Sequence, residues 1–219
     1  MSDLVLYNYF RSSASYRVRI GLHLKGLSFE YKAVHLLNDG GEQNKTAYKD
    51  LNPAGEVPTL IHGSQRLSQS MAILQYLDEV FPQQPLFPKN SFEKAKVIQF
   101  CEGINCTQPY QNLRTLQFLE KEFSFQQSQK EKWLQHWIGR NLEASEKILE
   151  STAGKFCFGD QITAAEAFLI PQLFTAHRFG IDFKKYPLIS KIQKTSEELE
   201  AFKKAHPFQQ PDTPSDLKI

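Results

Sequence analysis

Three prolines in seven residues, Pro82-Gln83-Gln84-Pro85-Leu86-Phe87-Pro88, constrain this chain more than any other stretch of it. Each fixes φ and removes a backbone donor, so neither a helix nor a central strand runs through the segment. The patterns on its two sides differ. Before it, residues 4–7 read as a strand, 15–25 as a helix and 29–34 as a second strand, which is a βαβ order. A polar stretch over 38–52 has room for a short helix. Residues 59–62 and 65–67 then flank Gly63-Ser64, which is hairpin chemistry, and 70–81 closes the region as a helix. Beyond the prolines the periodicity is helical throughout, over 92–118, 130–150, 164–179 and 188–205, with Thr163 and Glu166 forming a capping box at the third of these. The expected fold is α/β followed by all-α: a first domain over 1–82, a linker over 83–90 and a helical domain over 91–219.

The charge balance narrows the partners. Lysine and arginine number 26 against 24 acidic residues, a net charge of +2, too even for the electrostatic footprint of a nucleic-acid binder. No run of about 18 apolar residues suggests a membrane span, and the amino terminus lacks the basic-then-apolar order of an export signal. Cys101, Cys106 and Cys157 are odd in number and lack CxxC spacing, and the six histidines show no HxxxH pattern. Neither a disulfide framework nor a metal site is expected, and a reducing cytoplasm is the simplest compartment.

The densest chemical signal is Tyr9-Phe10-Arg11-Ser12-Ser13-Ala14-Ser15-Tyr16-Arg17-Val18-Arg19-Ile20, where a strand ends, two serines follow and an amphipathic helix begins. Serine is a preferred N-cap, and that structural role is one reading. The other is that a hydroxyl and the first-turn N–H groups jointly stabilise an anion. A thiolate would gain from such a site, because a thiol with pKa near ~8.5 is mostly protonated at neutral pH and the thiolate is the nucleophile. The chain's own cysteines lie elsewhere, so the better candidate is an external thiol.

This segment resembles the SSCxWRVRIAL signature of the zeta-class glutathione transferases, which include the maleylacetoacetate isomerases. Ala14 stands where the signature has cysteine, and Tyr16 where it has tryptophan. The likeness continues through Leu51-Asn52-Pro53 with Val57-Pro58-Thr59-Leu60, Gln69-Ser70, Gln108-Pro109 with Gln111-Asn112-Leu113, His206-Pro207, and Gln210-Pro211-Asp212-Thr213-Pro214. It thus covers nearly the whole chain. The resemblance implies a glutathione transferase fold, with an N-terminal thioredoxin-like domain and a C-terminal helical domain, that works as a homodimer.

It also implies glutathione as the cofactor and a small dicarboxylic keto acid as the substrate. Ser12 or Ser13 would hold the thiolate, with Ala14 also among the cofactor-binding residues. A cis Val57-Pro58 bond would present the Val57 backbone to the cysteinyl unit, a short β-augmentation. Gln69 and Ser70 would hold the γ-glutamyl end and Gln43 the glycyl end, with Gln108 and Asn112 also among the cofactor-binding residues. Carboxylate recognition calls for arginine, and the candidates are Arg11, Arg17, Arg114 and Arg178. Arg11 and Arg178 join the two serines in the expected catalytic set. Arg19, two residues along the helix from Arg17, reads as structural. Tyr7 and Tyr16 offer a tyrosine-type alternative for thiol activation.

The implied reaction is isomerisation of maleylacetoacetate to fumarylacetoacetate by thiolate addition, bond rotation and elimination. Maleylpyruvate isomerisation, glutathione conjugation or dehalogenation of small α-halo acids, and non-catalytic glutathione binding are the alternatives. Ala14 excludes a scheme that needs a protein thiol at that position.

Overall fold

Leu4 and Leu6 alternate with Val5 and Tyr7 along strand β1 (Leu4–Asn8), so the two leucines share one face, and both are buried. The computed structural model describes residues 3–219, and residues 1 and 2 of the expected first domain lie outside them. Strand β2 (Glu30–Ala33) pairs parallel with β1, which requires a crossover, and helix α1 (Ser13–Leu24) supplies it. Strand β3 (Thr59–His62) pairs antiparallel with β1 and turns at Gly63, whose φ is 58°, into β4 (Gln65–Ser68). The mixed sheet has the order β2-β1-β3-β4. A short helix α2 (Thr46–Lys49) precedes β3, and α3 (Ser70–Val80) follows β4.

Val18 and Leu22 of α1 and Ile73 and Leu77 of α3 meet Leu4, Leu6 and Leu60 in one buried cluster. Each such side chain contributes about 1.5–3 kcal/mol. The two helices close tightly at Gly21, where a Cβ would lie 2.2 Å from Leu74 Cδ2. The thioredoxin-like character expected of this half is present in the strand order and the helices packed on it.

The proline segment is anchored. Lys25 Nζ, its side chain fully buried, lies 2.8 Å from Asp78 Oδ1 and donates to the carbonyls of Gln83 and Gln84. Asp78 also accepts from the amides of Leu86 and Phe87. Four residues past the expected boundary at 82 are thereby drawn onto the first half. By contacts, one unit takes in the described residues up to Phe87 together with Glu197–Ile219, and the other is Pro88–Ser196. The last 23 residues therefore differ from the expected 91–219 assignment. Arg19 is one physical reason: buried in the first unit, it finds one of its acceptors on Ala205, in α10 (Glu200–Ala205).

The second unit is helical. The expected helix over 92–118 is three: α4 (Ser91–Asn105), α5 (Gln108–Gln111) and α6 (Leu113–Phe123). Pro109 sits in the first turn of α5, where its missing donor costs nothing, and Asn112 caps α6 by accepting from Arg114 N. Helix α7 (Gln127–Thr152) is tied to α4 by Asn141 Nδ2 donating to Gly103 O at 2.9 Å. Helix α8 (Ala164–Arg178) starts at the expected capping box, and α9 (Pro187–Glu197) follows it. Buried Glu166 accepts from Thr163 N at 2.8 Å and from Cys157 N at 2.6 Å. Burial pushes both the Glu166 carboxyl and the Cys157 thiol upward.

Candidate functional site

The turn from β1 into α1 is built before any ligand enters it. Ser12 N donates to Tyr9 O, Tyr16 N to Ser12 O, and Ser12 Oγ accepts from Ser15 N at 3.2 Å. Ser12 is thus the N-cap of α1 and Ser13 its first helical residue, and both are half-buried, as are Arg11 and Ala14. Capping uses only an acceptor lone pair of Ser12, so its O–H proton remains to be donated. Arg11 stands over the ring of Phe10, 5.7 Å from its centroid. The positive end of a 12-residue helix, two hydroxyls and a guanidinium thus adjoin one another at this turn, an arrangement that favours an anion.

The start of α3 has related chemistry. Gln69 is exposed and has φ 70°, ψ 116°, a left-handed conformation that a residue with a Cβ rarely adopts. Such strain, of order 1–3 kcal/mol, persists where surrounding structure imposes it and concentrates at ligand sites. The next residue, Ser70, is buried, and its Oγ accepts from Arg17 Nη1 at 3.3 Å. Arg17 corrects an expectation. A guanidinium that clamps an incoming substrate needs an open approach, and that of Arg17 is fully buried behind Ser70.

Two further features fit a peptide-like ligand. The Val57-Pro58 bond is cis, and among the described residues neither backbone group of Val57 takes a hydrogen-bond partner. An extended peptide can pair with half-buried, unpartnered backbone of this kind, here in the bend just ahead of β3. Gln43 Nε2 donates to Leu36 O at 3.3 Å, while its Oε1 is buried without a partner among the described residues. Leaving such an acceptor unpaired costs roughly 1–3 kcal/mol, which a ligand N–H removes. A tripeptide with a carboxylate at one end and a thiol in the middle matches this donor and acceptor set.

The other expected residues lie in the second unit. Gln108 opens α5, and Asn112 is committed as the cap of α6. Arg114, in the first turn of α6, and Arg178, in the last turn of α8, are exposed, and the latter stands 5.0 Å from the Phe179 ring centroid. Gln111 and Gln172, both buried, exchange amide hydrogen bonds of 2.8 and 3.3 Å, joining α5 to α8.

Tyr16 does not face a thiol site. It is 2% exposed, lies 5.4 Å from the Arg19 guanidinium, and burial raises its phenol well above the ordinary value. Sequence reasoning missed Asp212. Its signal was the Gln210-Pro211-Asp212-Thr213-Pro214 run, which has no periodicity to say what it packs on. In the structure Asp212 Oδ2 accepts from Phe10 N at 3.0 Å, and Oδ1 accepts from Tyr31 Oη.

Comparison with known proteins agrees with this chemistry. Residues 2–79 match the model of the glutathione S-transferase N-terminal domain. A maleylacetoacetate isomerase of Rattus norvegicus is 43% identical over 215 residues, covering 98% of this chain and 97% of its own. The holo structure of a maleyl pyruvate isomerase, a bacterial glutathione S-transferase in the zeta class, superposes with TM-score 0.92 at 38% identity, covering 96% of this chain and all of the other. A maleylacetoacetate isomerase of Anaeromyxobacter dehalogenans 2CP-1 with bound GSH in its active site gives TM-score 0.86 at 40% identity, over 96% and 98% of the two chains.

Proposed function

Because this chain belongs to the zeta-class glutathione transferase family that includes the maleylacetoacetate isomerases, we propose that it converts maleylacetoacetate to fumarylacetoacetate with glutathione as cofactor. Glutathione, when bound, supplies the thiolate that adds to the cis double bond and leaves after the resulting single bond has turned. It is regenerated in each cycle.

The chain's residues bind and orient. Ser12 and Ser13 donate hydroxyl protons toward the sulfur, and the first-turn amides of α1 add their partial positive charge. Ala14 leaves no protein thiol there to compete. The open backbone of Val57 pairs with the cysteinyl unit, and Gln43 Oε1 accepts from the glycyl end. Ser70, held by Arg17, and the positive end of α3 take the γ-glutamyl carboxylate, with Gln69 beside them. Gln108 and Asn112 complete the cofactor contacts. Arg11, Arg178 and Arg114 orient the keto acid's carboxylates and offset the negative charge that develops on its ketone oxygen.

The observation that carries this reading is the serine-headed amino terminus of α1 in the same unit as the unpartnered Val57 backbone. The test follows a maleyl keto acid spectroscopically with substoichiometric glutathione. Turnovers far exceeding the glutathione added support isomerisation. Stoichiometric loss of thiol means conjugation, and binding without turnover means a non-catalytic protein. Maleylpyruvate is the second substrate to assay, favoured by the TM-score of 0.92 to the maleyl pyruvate isomerase.

A cytoplasmic homodimer completes the proposal. The cysteines Cys101, Cys106 and Cys157 are unbridged, which suits a reducing compartment. Among the described residues no helix is long and apolar enough to cross a membrane. Equilibrium sedimentation at twice the 25.2 kDa of the chain is the expected outcome.

A further inference from the structure

The turn that carries Ser12 is held from outside its own sequence neighbourhood. Phe10, two residues before Ser12, is 1% exposed, and both polar groups of its backbone are taken by charged side chains. Its amide donates to Asp212 Oδ2 at 3.0 Å, and its carbonyl accepts from Arg19 Nη2 at 2.9 Å. Arg19 Nη1 donates to Tyr9 O at 3.3 Å and to Asn8 Oδ1 at 3.0 Å, while its Nε donates to Ala205 O at 3.0 Å. Asp212 in turn accepts from Tyr31 Oη, and Tyr31 on β2 pairs in register with Leu6 of β1. The turn near residue 10 is therefore held directly by Asp212 and by Arg19, which Ala205 in turn engages.

We propose that Asp212 is a positioning residue for the thiol reaction, fixing the Phe10 peptide so that Ser12 and the first turn of α1 stay aimed at the sulfur. It touches neither cofactor nor substrate. Its carboxylate is suited to the task because its two oxygens serve two donors at once, one on the reactive turn and one on β2, the strand beside β1. A charge-assisted bond to a backbone amide is also stronger and better fixed than a neutral one. Without it the Phe10 amide is a buried donor with no acceptor, and the turn relaxes toward solvent to find one. A shift of about 1 Å in a positioned group is enough to cost on the order of 100-fold in rate. The inference rests on the assignment of Ser12 and Ser13 to the sulfur made above.

The experiment titrates the ultraviolet absorbance of the thiolate in the glutathione complex and measures kcat and KM for a maleyl keto acid. It compares the full-length wild type with Asp212→Ala, Asp212→Asn and Thr163→Ala. The last removes a helix cap in the other unit and serves as a control for lost stability alone. Asp212→Ala is expected to raise the pKa of the bound thiol by about one unit, a loss of thiolate stabilisation of about 1.4 kcal/mol. It should lower kcat about tenfold or more, with KM and glutathione affinity changing little. Asp212→Asn keeps one acceptor oxygen and should fall between; it decides the matter if the alanine variant does not fold. Thr163→Ala should lower the melting temperature and leave the thiol pKa unmoved. The proposal is overturned if the Asp212 variants behave like Thr163→Ala. If wild-type protein binds glutathione without lowering its thiol pKa, the serine assignment itself is wrong and the role of Asp212 falls with it.

Discussion

Ser12 and Ser13 are adjacent yet sit differently on α1, one as its cap and one inside it, and single substitutions separate them. Ser12 caps α1 through Ser15 N, so Ser12→Ala should cost about 1 kcal/mol of stability in urea denaturation as well as activity. Ser13, already inside the helix, should lose activity in Ser13→Ala with a much smaller stability change. Equal stability losses would contradict the capping assignment. Gln69 makes a complementary case. At φ 70° a glycine relieves strain, so Gln69→Gly is expected to hold or raise stability, by up to about 1 kcal/mol, while weakening glutathione binding measured by calorimetry. Arg19 makes four side-chain hydrogen bonds, and its full burial lowers its pKa to about 10. Lysine cannot reproduce that planar set, and Arg19→Lys should cost at least about 2 kcal/mol. At this scale the sequence was informative about residue type and silent about depth. Arg17 and Arg19 look alike on a helix, and only packing reveals that one backs Ser70 while the other ties β1 to α10.

Among the elements, the strands, α1, α3 and the capped start of α8 were legible because each carries a local signal: alternation, a serine start, a hairpin turn, a Thr-x-x-Glu box. The three-way break of the helix expected over 92–118 was written in Pro109 and Asn112, but apolar spacing ran through both and masked it. The C-terminal return over residues 197–219 was not legible at all, since no periodicity announces which unit a short helix joins. That return also gives the protein a pH dependence. His206 and His23 both have depressed pKa values, chiefly from burial, with Arg19 repelling the charged form of each and Lys204 adding to the effect at His23. His206 Nδ1 moreover accepts from Phe208 N, which requires that nitrogen unprotonated. The stability these rings contribute is fully present above the ordinary histidine value of about 6.5 and is lost as pH falls through their lower folded values. The urea midpoint should therefore drop between about pH 7.5 and pH 5, and His206→Asn, which keeps an acceptor, should shrink the drop.

For the molecule as a whole, cofactor and fold were readable from the sequence because motifs for them are spread along the chain, and relatives about 40% identical over nearly its full length agree. The proposed choice of substrate rests on a few arginines and on Ala14, so the glutathione-limited assay and its two candidate keto acids decide it. The dependence of the first unit on residues 205 and 212 has a consequence for synthesis. A ribosome adding about 5–20 residues per second emits the Ser12 segment roughly 10–40 s before it emits Asp212. Through that interval the nascent chain carries its glutathione-binding sequence without the carboxylate that holds Phe10, and with Arg19 lacking the Ala205 carbonyl. On the role proposed for Asp212, a polypeptide that stops after the helical unit lacks the carboxylate that holds Phe10 and activates the thiol less than the full chain does.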